Sequence, residues 1–424
     1  MQEHAKFSKD MVSTAGGLPL ALEVLGSHLW DKTTIDEWED AVKKLKRIPE
    51  DDITLKLRIS YDNLNEEEKH IFLDIACFFI GETKDYTIDI WKGCGFPASI
   101  SIKKLLQRSL MKIDVKDRLQ MHDQLRDMGR WIVELENLCD PGRHRRLWSE
   151  EHVINVFKYL KGIYKVRGLM LVGNEREVSW ETEAFKPMTN LKLLSINRAS
   201  LVGNFRYLSS ELVWLQWPRC PLPYLPNDFS HEELAVLDLS YSEAVLHLSN
   251  NNIKQLFPKF KVLDLSYCHN LERISDCSLY PNLEKLNLVG CCKLVEIPDF
   301  IGLLKNLFNL NLGGFDNLKE LPNSLGSLVN LKGLNVSGCK ELGLIHLSCH
   351  KKRARVQPVT YANGPYKREK GVTFSILERE RERVGKKGKQ REQAEEKCPY
   401  RQLKKKWREQ AGEKGKPLKI RVST

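Results

Sequence analysis

One apolar template, L-x-x-L-x-L, starts at Leu191 and again at Leu212, Leu234, Phe260, Leu283, Leu307 and Leu331, with successive starts 21, 22, 26, 23, 24 and 24 residues apart. Self-similarity at a period of roughly 20 to 29 residues is the mark of stacked units that each supply one short strand. The leucines of each strand point inward, and each unit buries them only by stacking on its neighbours. A curved solenoid with a parallel sheet on its concave face is therefore expected. The later units fit best, as in LEKLNLVGCCKLVEIPDFIGLLKN and LFNLNLGGFDNLKELPNSLGSLVN.

This is the pattern of leucine-rich repeats. Three places after the last strand leucine the template takes a small Asn or Cys in the turn out of the strand, and Cys268, Cys291 and Cys339 fall there, with Phe315 in the same place in one unit. That placement competes with a metal reading of Cys268, Cys277, Cys291 and Cys292, for which no paired C-x-x-C spacing exists, and no metal is expected. Residues between the inward leucines are expected to face solvent as a ladder: Trp214 and Gln216, Val236 and Asp238, Val262 and Asp264, Lys285 and Asn287, Asn309 and Asn311, Gly333 and Asn335. They are the candidate partner contacts, mostly short and polar, as suits an adaptable protein-binding surface or a merely solvated sheet.

The chain has 424 residues and a formal charge of +11, but residues 351–424 hold 24 Lys+Arg against 9 Asp+Glu. The other 350 residues carry 43 against 47, so the basic character belongs to the tail and not to the folded body. With few apolar residues, the tail is expected to be disordered or a lone solvated helix. Lys351–Arg355 and Lys404–Lys406 are candidate nuclear-localisation or nucleic-acid patches, weighed against a plain solvated charge run. Eleven cysteines without a secretory signal point to reduced thiols in the cytoplasm, with the nucleus as a second compartment. The strongest apolar run, Ile71–Ile80, is too short for a bilayer and contains Asp74, so no membrane association is expected.

Before the repeats the texture is helical. GGLPLALEVLGSHLW sets a turn before a helix with Leu20, Val24, Leu25 and Leu29 on one side, started by Pro19. EEEKHIFLDIACFFIG reads as a buried helix ending at Gly81, and ASISIKKLLQRSLMKI as a helix running into a strand. RLQMHDQLRDMGRWIVEL reads as a strand tip followed by an amphipathic helix, and the three together suggest a compact winged-helix unit.

In order, Gly16-Gly17-Leu18-Pro19-Leu20, the Ile71–Gly81 stretch, Met121-His122-Asp123 and the repeat array resemble plant nucleotide-binding leucine-rich-repeat disease-resistance proteins. The IFLDIACFF wording and Trp148 in RRLWSEEHV are similar to the branch with an amino-terminal TIR domain. The resemblance implies that Pro19 packs on the adenine of ADP and that His122 reaches its β-phosphate. Read without it, Pro19 only starts a helix and His122 only orients the turn before the next one. No G-x-x-x-x-G-K-[ST] occurs in the chain, so the phosphate cradle and TIR domain are expected before Met1, and ADP binding is expected to be weak or absent.

The expected fold is multidomain α and α/β. Residues 1–60 form the helical end of the nucleotide-binding NB-ARC module, 61–165 a winged-helix domain, 166–348 the solenoid, and 349–424 a disordered basic tail. The expected function is a non-enzymatic fragment of an innate immune receptor in defence signalling. The resemblance implies that its repeats hold the NB-ARC core inactive and recognise a pathogen effector or a guarded host protein. The alternative is a nucleic-acid binder built on the winged helix and the tail. Against it, residues 61–140 count 11 Lys+Arg to 15 Asp+Glu, a balance that repels phosphate.

Overall fold

The computed structural model describes residues 19–28, 34, 36–38, 40, 53–137, 141–159, 163–172, 178–242, 257–274, 276–342, 356–358 and 372–375. The chain divides into two compact units, residues 57–376 and a second unit of residues 1–56 with 377–424. In the second unit, helix α1 spans Pro19–His28 with Leu20, Ala21, Val24 and Leu25 buried and Pro19 exposed at its start. Gly16, Gly17, Leu18 and Leu29 lie outside the described residues.

Helix α2, Ile53–Asp62, leads into the larger unit. Helix α3, Glu66–Asp74, opens with a capping box: Asn65 Oδ1 accepts from the Glu68 amide at 2.8 Å, and Glu68 Oε2 accepts from the Asn65 amide at 3.0 Å. Its continuation, Ile75–Phe79, widens into a π-helical turn whose five side chains are all buried. Helices α4, Lys84–Gly93, and α5, Ala98–Gln107, precede the antiparallel hairpin of β1, Lys112–Ile113, and β2, Leu119–Gln120. Helix α6, Asp123–Glu134, then returns across the π turn, where Arg130 Nε donates to the Ala76 carbonyl at 3.0 Å. Helices followed by a hairpin wing match the expected winged-helix unit, and the expected helix-to-strand and strand-to-helix joins fall where the motifs put them.

The solenoid sheet begins earlier than the first template match. Strand β3, Arg146–Leu147, pairs parallel with β4, Gly168–Val172, and helix α7, Glu150–Tyr159, crosses between them. Next in the main sheet come β6, Leu193–Asn197; β8, Trp214–Gln216; β9, Val236–Asp238; β10, Val262–Asp264; β11, Lys285–Asn287; β12, Asn309–Asn311; and β13, Gly333–Asn335. Every pair is parallel and in register, with Leu237, Leu263, Leu286, Leu310 and Leu334 in one row. A small side sheet pairs β5, Val178–Glu181, with β7, Ala199–Val202.

The strands of the early units, which fit the template less well, pair in the same parallel register as the late ones. There, aromatic rings fill the space that leucines fill elsewhere: Phe205, Phe229 and Phe257 follow one another at 6.3 and 5.8 Å between ring centres. The expected turn cysteines do fall at the strand exits, and their thiols have partners. Sγ–H of Cys268 donates to the Leu239 carbonyl at 3.4 Å, of Cys291 to Leu265 at 3.1 Å, and of Cys339 to Leu312 at 3.1 Å. Each thiol thus ties a unit to the one before it.

In the tail, β15, Val372–Ser375, adds antiparallel to β13, and β14, Val356–Pro358, adds antiparallel to β15, a departure from the expected absence of regular structure. β15 carries the β-favouring Val372, Thr373 and Phe374, and an open sheet edge offers unpaired N–H and C=O groups to such a segment. The basic patches Lys351–Arg355 and Lys404–Lys406 lie outside the described residues.

Candidate functional site: the winged helix on the concave face

Within the larger unit, α4 and the residues before it lie against the concave strands β8 to β11. Trp214, the first ladder residue, is 1% exposed. Its ring packs on Phe79 at 4.9 Å between centres, and its Nε1–H donates to the Tyr86 hydroxyl at 2.7 Å. Trp91 meets the other side of the cluster, edge-on to Phe79 at 5.5 Å.

At the end of α4 the backbone comes so close that only glycine fits. A Cβ on Gly93 would lie 2.6 Å from Val213 Cγ1 and 2.9 Å from Ala235 Cβ. Two units further along, Lys285 Nζ pairs with Asp89 Oδ2 at 2.5 Å and donates to the Asp85 carbonyl at 3.3 Å. The docked surface therefore joins an aromatic clamp, a tight backbone approach and a shielded ion pair.

Charge across this surface is not balanced everywhere. Burial raises the Glu82 carboxyl above its ordinary value, and the carboxylates of Asp238 and Asp264 raise it further, partly offset by a hydrogen bond from Gln216. Asp238 is raised for the same two reasons, burial first and then Asp264. Asp89 is raised by burial despite its lysine partner.

The expectation that the ladder faces solvent needs correction over most of its length. Trp214, Val236 and Val262 are buried, because the winged helix occupies the concave face at these units. Gln216, Asp238, Asp264 and Asn287 are half-buried and bond to one another along the sheet. Gln216 Nε2 donates to Asp238 Oδ2 at 3.2 Å, and Asn287 Nδ2 donates to Asp264 Oδ2 at 2.8 Å.

The same residues also cap their own exit turns, since Asp238 Oδ1 accepts from the Ser240 amide at 3.0 Å and Asp264 Oδ1 from the Ser266 amide at 2.8 Å. Asn311 and Asn335 repeat the device: Asn335 Nδ2 donates to Asn311 Oδ1 at 2.9 Å, and each Oδ1 accepts from the amide two places on. Lys285 is held by Asp89. Only Asn309 of the ladder residues named is exposed, beside half-buried Gly333.

A second constellation, invisible in the motif reading, fastens the winged helix to the start of the sheet. Asp74 is wholly buried on α3, and its carboxylate receives Arg146 Nε at 2.7 Å, Arg167 Nη1 at 3.1 Å and Trp91 Nε1 at 3.1 Å. Burial alone would raise this carboxyl, but the guanidinium groups of Arg167 and Arg146 hold it below its ordinary value. Arg146 Nη2 also donates to the His70 carbonyl at 3.0 Å, and Arg167 lies over the Phe96 ring at 5.0 Å. The only sequence sign of this hub is an aspartate inside an otherwise apolar run.

His122 is exposed at the N-cap of α6, where its Nδ1 accepts from the Gln124 amide at 3.2 Å. Pro19 is exposed at the head of α1 in the other unit. Among the described residues no group of three or more His, Cys, Asp or Glu is arranged to hold a metal, and no helix is long and apolar enough to cross a membrane.

Fold and site define a winged-helix domain seated on a leucine-rich-repeat array. Residues 65–136 match the winged-helix domain of Roq1-like disease resistance proteins. Disease resistance protein RUN1 of Vitis rotundifolia is 35% identical over 334 residues, covering 72% of this chain and 25% of its own length. TMV resistance protein N of Nicotiana glutinosa is 33% identical over 297 residues, covering 70% and 25%. Over about 70% of its length the chain is thus homologous to plant TIR-type nucleotide-binding leucine-rich-repeat disease-resistance proteins, and it spans about a quarter of the length of these relatives. Among solved structures, a Leptospira interrogans leucine-rich-repeat protein aligns at TM-score 0.32 and 21% identity, over 45% of this chain and 57% of that one. The leucine-rich-repeat domain of the type III effector XopL aligns at 0.33 and 15%, over 72% and 96%. The repeat fold rests on the strand register above and not on these likenesses.

Proposed function

We propose that this chain is the regulatory and recognition part of a plant immune receptor. It works by protein–protein contact, with the winged helix as a displaceable occupant of the concave face and a pathogen effector or guarded host protein as the incoming partner. The supporting observation is the division of that face: β8 to β11 lie under α4, held by Trp214–Tyr86 and Lys285–Asp89, while Asn309 on β12 stays exposed. A partner that binds the open end and extends along the sheet competes with α4.

The test is a charge swap read by amide hydrogen exchange. Lys285→Asp and Asp89→Lys should each release protection in α4 and the facing strands, and the double variant should restore it. Unchanged exchange in both single variants would reject the latch.

For nucleotide, the proposal is that Pro19 and His122 contribute contacts too few to hold ADP tightly and that the chain does not hydrolyse ATP. The occupied Nδ1 of His122 and the lack of a phosphate-cradling glycine motif in these 424 residues support this reading. Calorimetric titration with ADP, beside His122→Ala, tests it; tight binding that weakens in the variant would overturn it.

Nucleic acid is the weaker alternative. On α5, the helix before the wing, Lys104 is already paired with buried Glu68 at 3.1 Å.

A further inference from the structure

Seven units leave their strand through a left-handed residue two places after the last inward side chain. These are Arg198, Arg219, Tyr241 and Tyr267, at φ 53°, 59°, 60° and 58°, then Gly290, Gly314 and Gly338, at φ 73°, 77° and 75°. The turn is locked by a row of backbone bonds, with the amides of Arg219, Tyr241 and Tyr267 donating to the carbonyls of Ser240, Ser266 and Val289 at 2.8, 2.8 and 2.6 Å. Glycine adopts this conformation freely, whereas a long L side chain is strained there. Four successive units nevertheless carry Arg or Tyr, and all four side chains are exposed.

Three of them form one stack. The Arg219 guanidinium lies 5.4 Å over the Tyr241 ring, and Tyr241 stacks on Tyr267 at 4.8 Å and 13°. Tyr267 in turn rests on Gly290, where a Cβ would come within 2.6 Å of its ring. Strain retained over successive exposed positions is a pointer to function, because nothing in the core requires these side chains.

We infer that this ridge docks an acidic, extended segment of a partner protein. The inference rests on reading the solenoid as a protein-binding array and names a second surface on it, along the strand exits. Among the described residues neither Arg198 nor Arg219 is ion-paired, so two guanidinium groups stand ready for carboxylates. Both faces of each tyrosine are occupied by its neighbours in the stack, which leaves no ring face for a nucleobase or sugar and presents phenol hydroxyls and ring edges instead. Tyr and Arg are the residues that dominate protein interfaces. At about 4.8 Å between adjacent strands, the four side chains span about 15 Å, the length of four or five extended residues.

Fluorescence anisotropy on the intact chain tests this with a short fluorescein-labelled peptide of alternating Glu and Gly, its Gln–Gly counterpart, and an oligo-dT strand. Arg219→Gly and the pair Tyr241→Gly/Tyr267→Gly should each weaken binding of the acidic peptide about tenfold or more. Their thermal midpoints should equal or exceed the parent's, since glycine is the chain's own choice at 290, 314 and 338. Acidic-peptide binding that survives both changes belongs to the basic tail and overturns the inference. So do equal binding of the Gln–Gly peptide, ridge-dependent binding of oligo-dT, and absence of any acidic-peptide binding. None of these results alters the hydrogen-exchange outcome of the Lys285–Asp89 swap, so the two readings stand or fall separately.

Discussion

Asp74 Oδ1 and Arg146 Nε lie 2.7 Å apart across 72 residues of sequence, and both side chains are wholly shielded from water. With Arg167 on the same carboxylate, the pair joins helix α3 to the first two strands of the solenoid sheet. A buried pair that loses one member leaves the other charge uncompensated, at a cost of about 3–5 kcal/mol. Asp74→Asn should therefore lower stability in urea denaturation by about that amount. A loss below about 1 kcal/mol would mean that the guanidinium groups find water instead.

Gly93→Ala inserts a methyl group where Val213 and Ala235 already stand at 2.6 and 2.9 Å. Overpacking of this kind costs about 1–3 kcal/mol. Faster amide exchange in α4 is expected, with exchange in β12 and β13 unchanged. Uniform loss of protection throughout the unit would instead show that docking and folding are one cooperative event.

The interface carboxylates predict a pH response of definite sign. Glu82, Asp238 and Asp89 have folded-state values raised above the ordinary carboxyl range, so their contribution favours the docked form below that range and is lost as pH rises through the raised values. Glu82→Gln should accordingly raise the urea midpoint at neutral pH and leave it nearly unchanged at acid pH. His231 acts in the opposite direction: burial pushes its imidazole down to about 4, so stability falls as pH drops from about 6.5 toward 4. His231→Gln should reduce that limb and leave the share carried by buried His70, whose imidazole is likewise pushed down to about 4.

Asn311 accepts from both the Gly313 amide at 3.3 Å and Asn335 Nδ2 at 2.9 Å. Each such bond contributes about 1 kcal/mol, and Asn311→Ala should destabilise the solenoid by about 1–2 kcal/mol in thermal unfolding. A neutral result would return this residue to the solvated surface that the repeat pattern alone suggests.

Periodicity made the repeats legible because an inward leucine has no substitute environment: unless its neighbours stack in register, its surface stays in water. The positions of Leu237, Leu263, Leu286, Leu310 and Leu334 in one row follow directly from that spacing. Local chemistry likewise showed the buried helix ending near Gly81, the turn at His122 and the strand-exit cysteines, though not the capping box at Asn65. Alternation along a strand says which side chains leave the core, but not what lies beyond them. Trp214, Val236 and Val262 were therefore readable as a ladder and not as an interface.

By itself the sequence determined the kind of units in this protein and their order, since helix caps, a leucine period and turn residues act through neighbours close in the chain. Only the tertiary structure decided where Asp74 finds its two arginines, that α4 covers β8 to β11, and that four long side chains share a left-handed row. Those arrangements depend on residues from 21 to 200 positions apart meeting through rigid packing, as Lys285 meets Asp85 across 200 residues and Arg219 follows Arg198 across 21. A one-dimensional pattern carries no term for such encounters, because their energy exists only after the units have stacked.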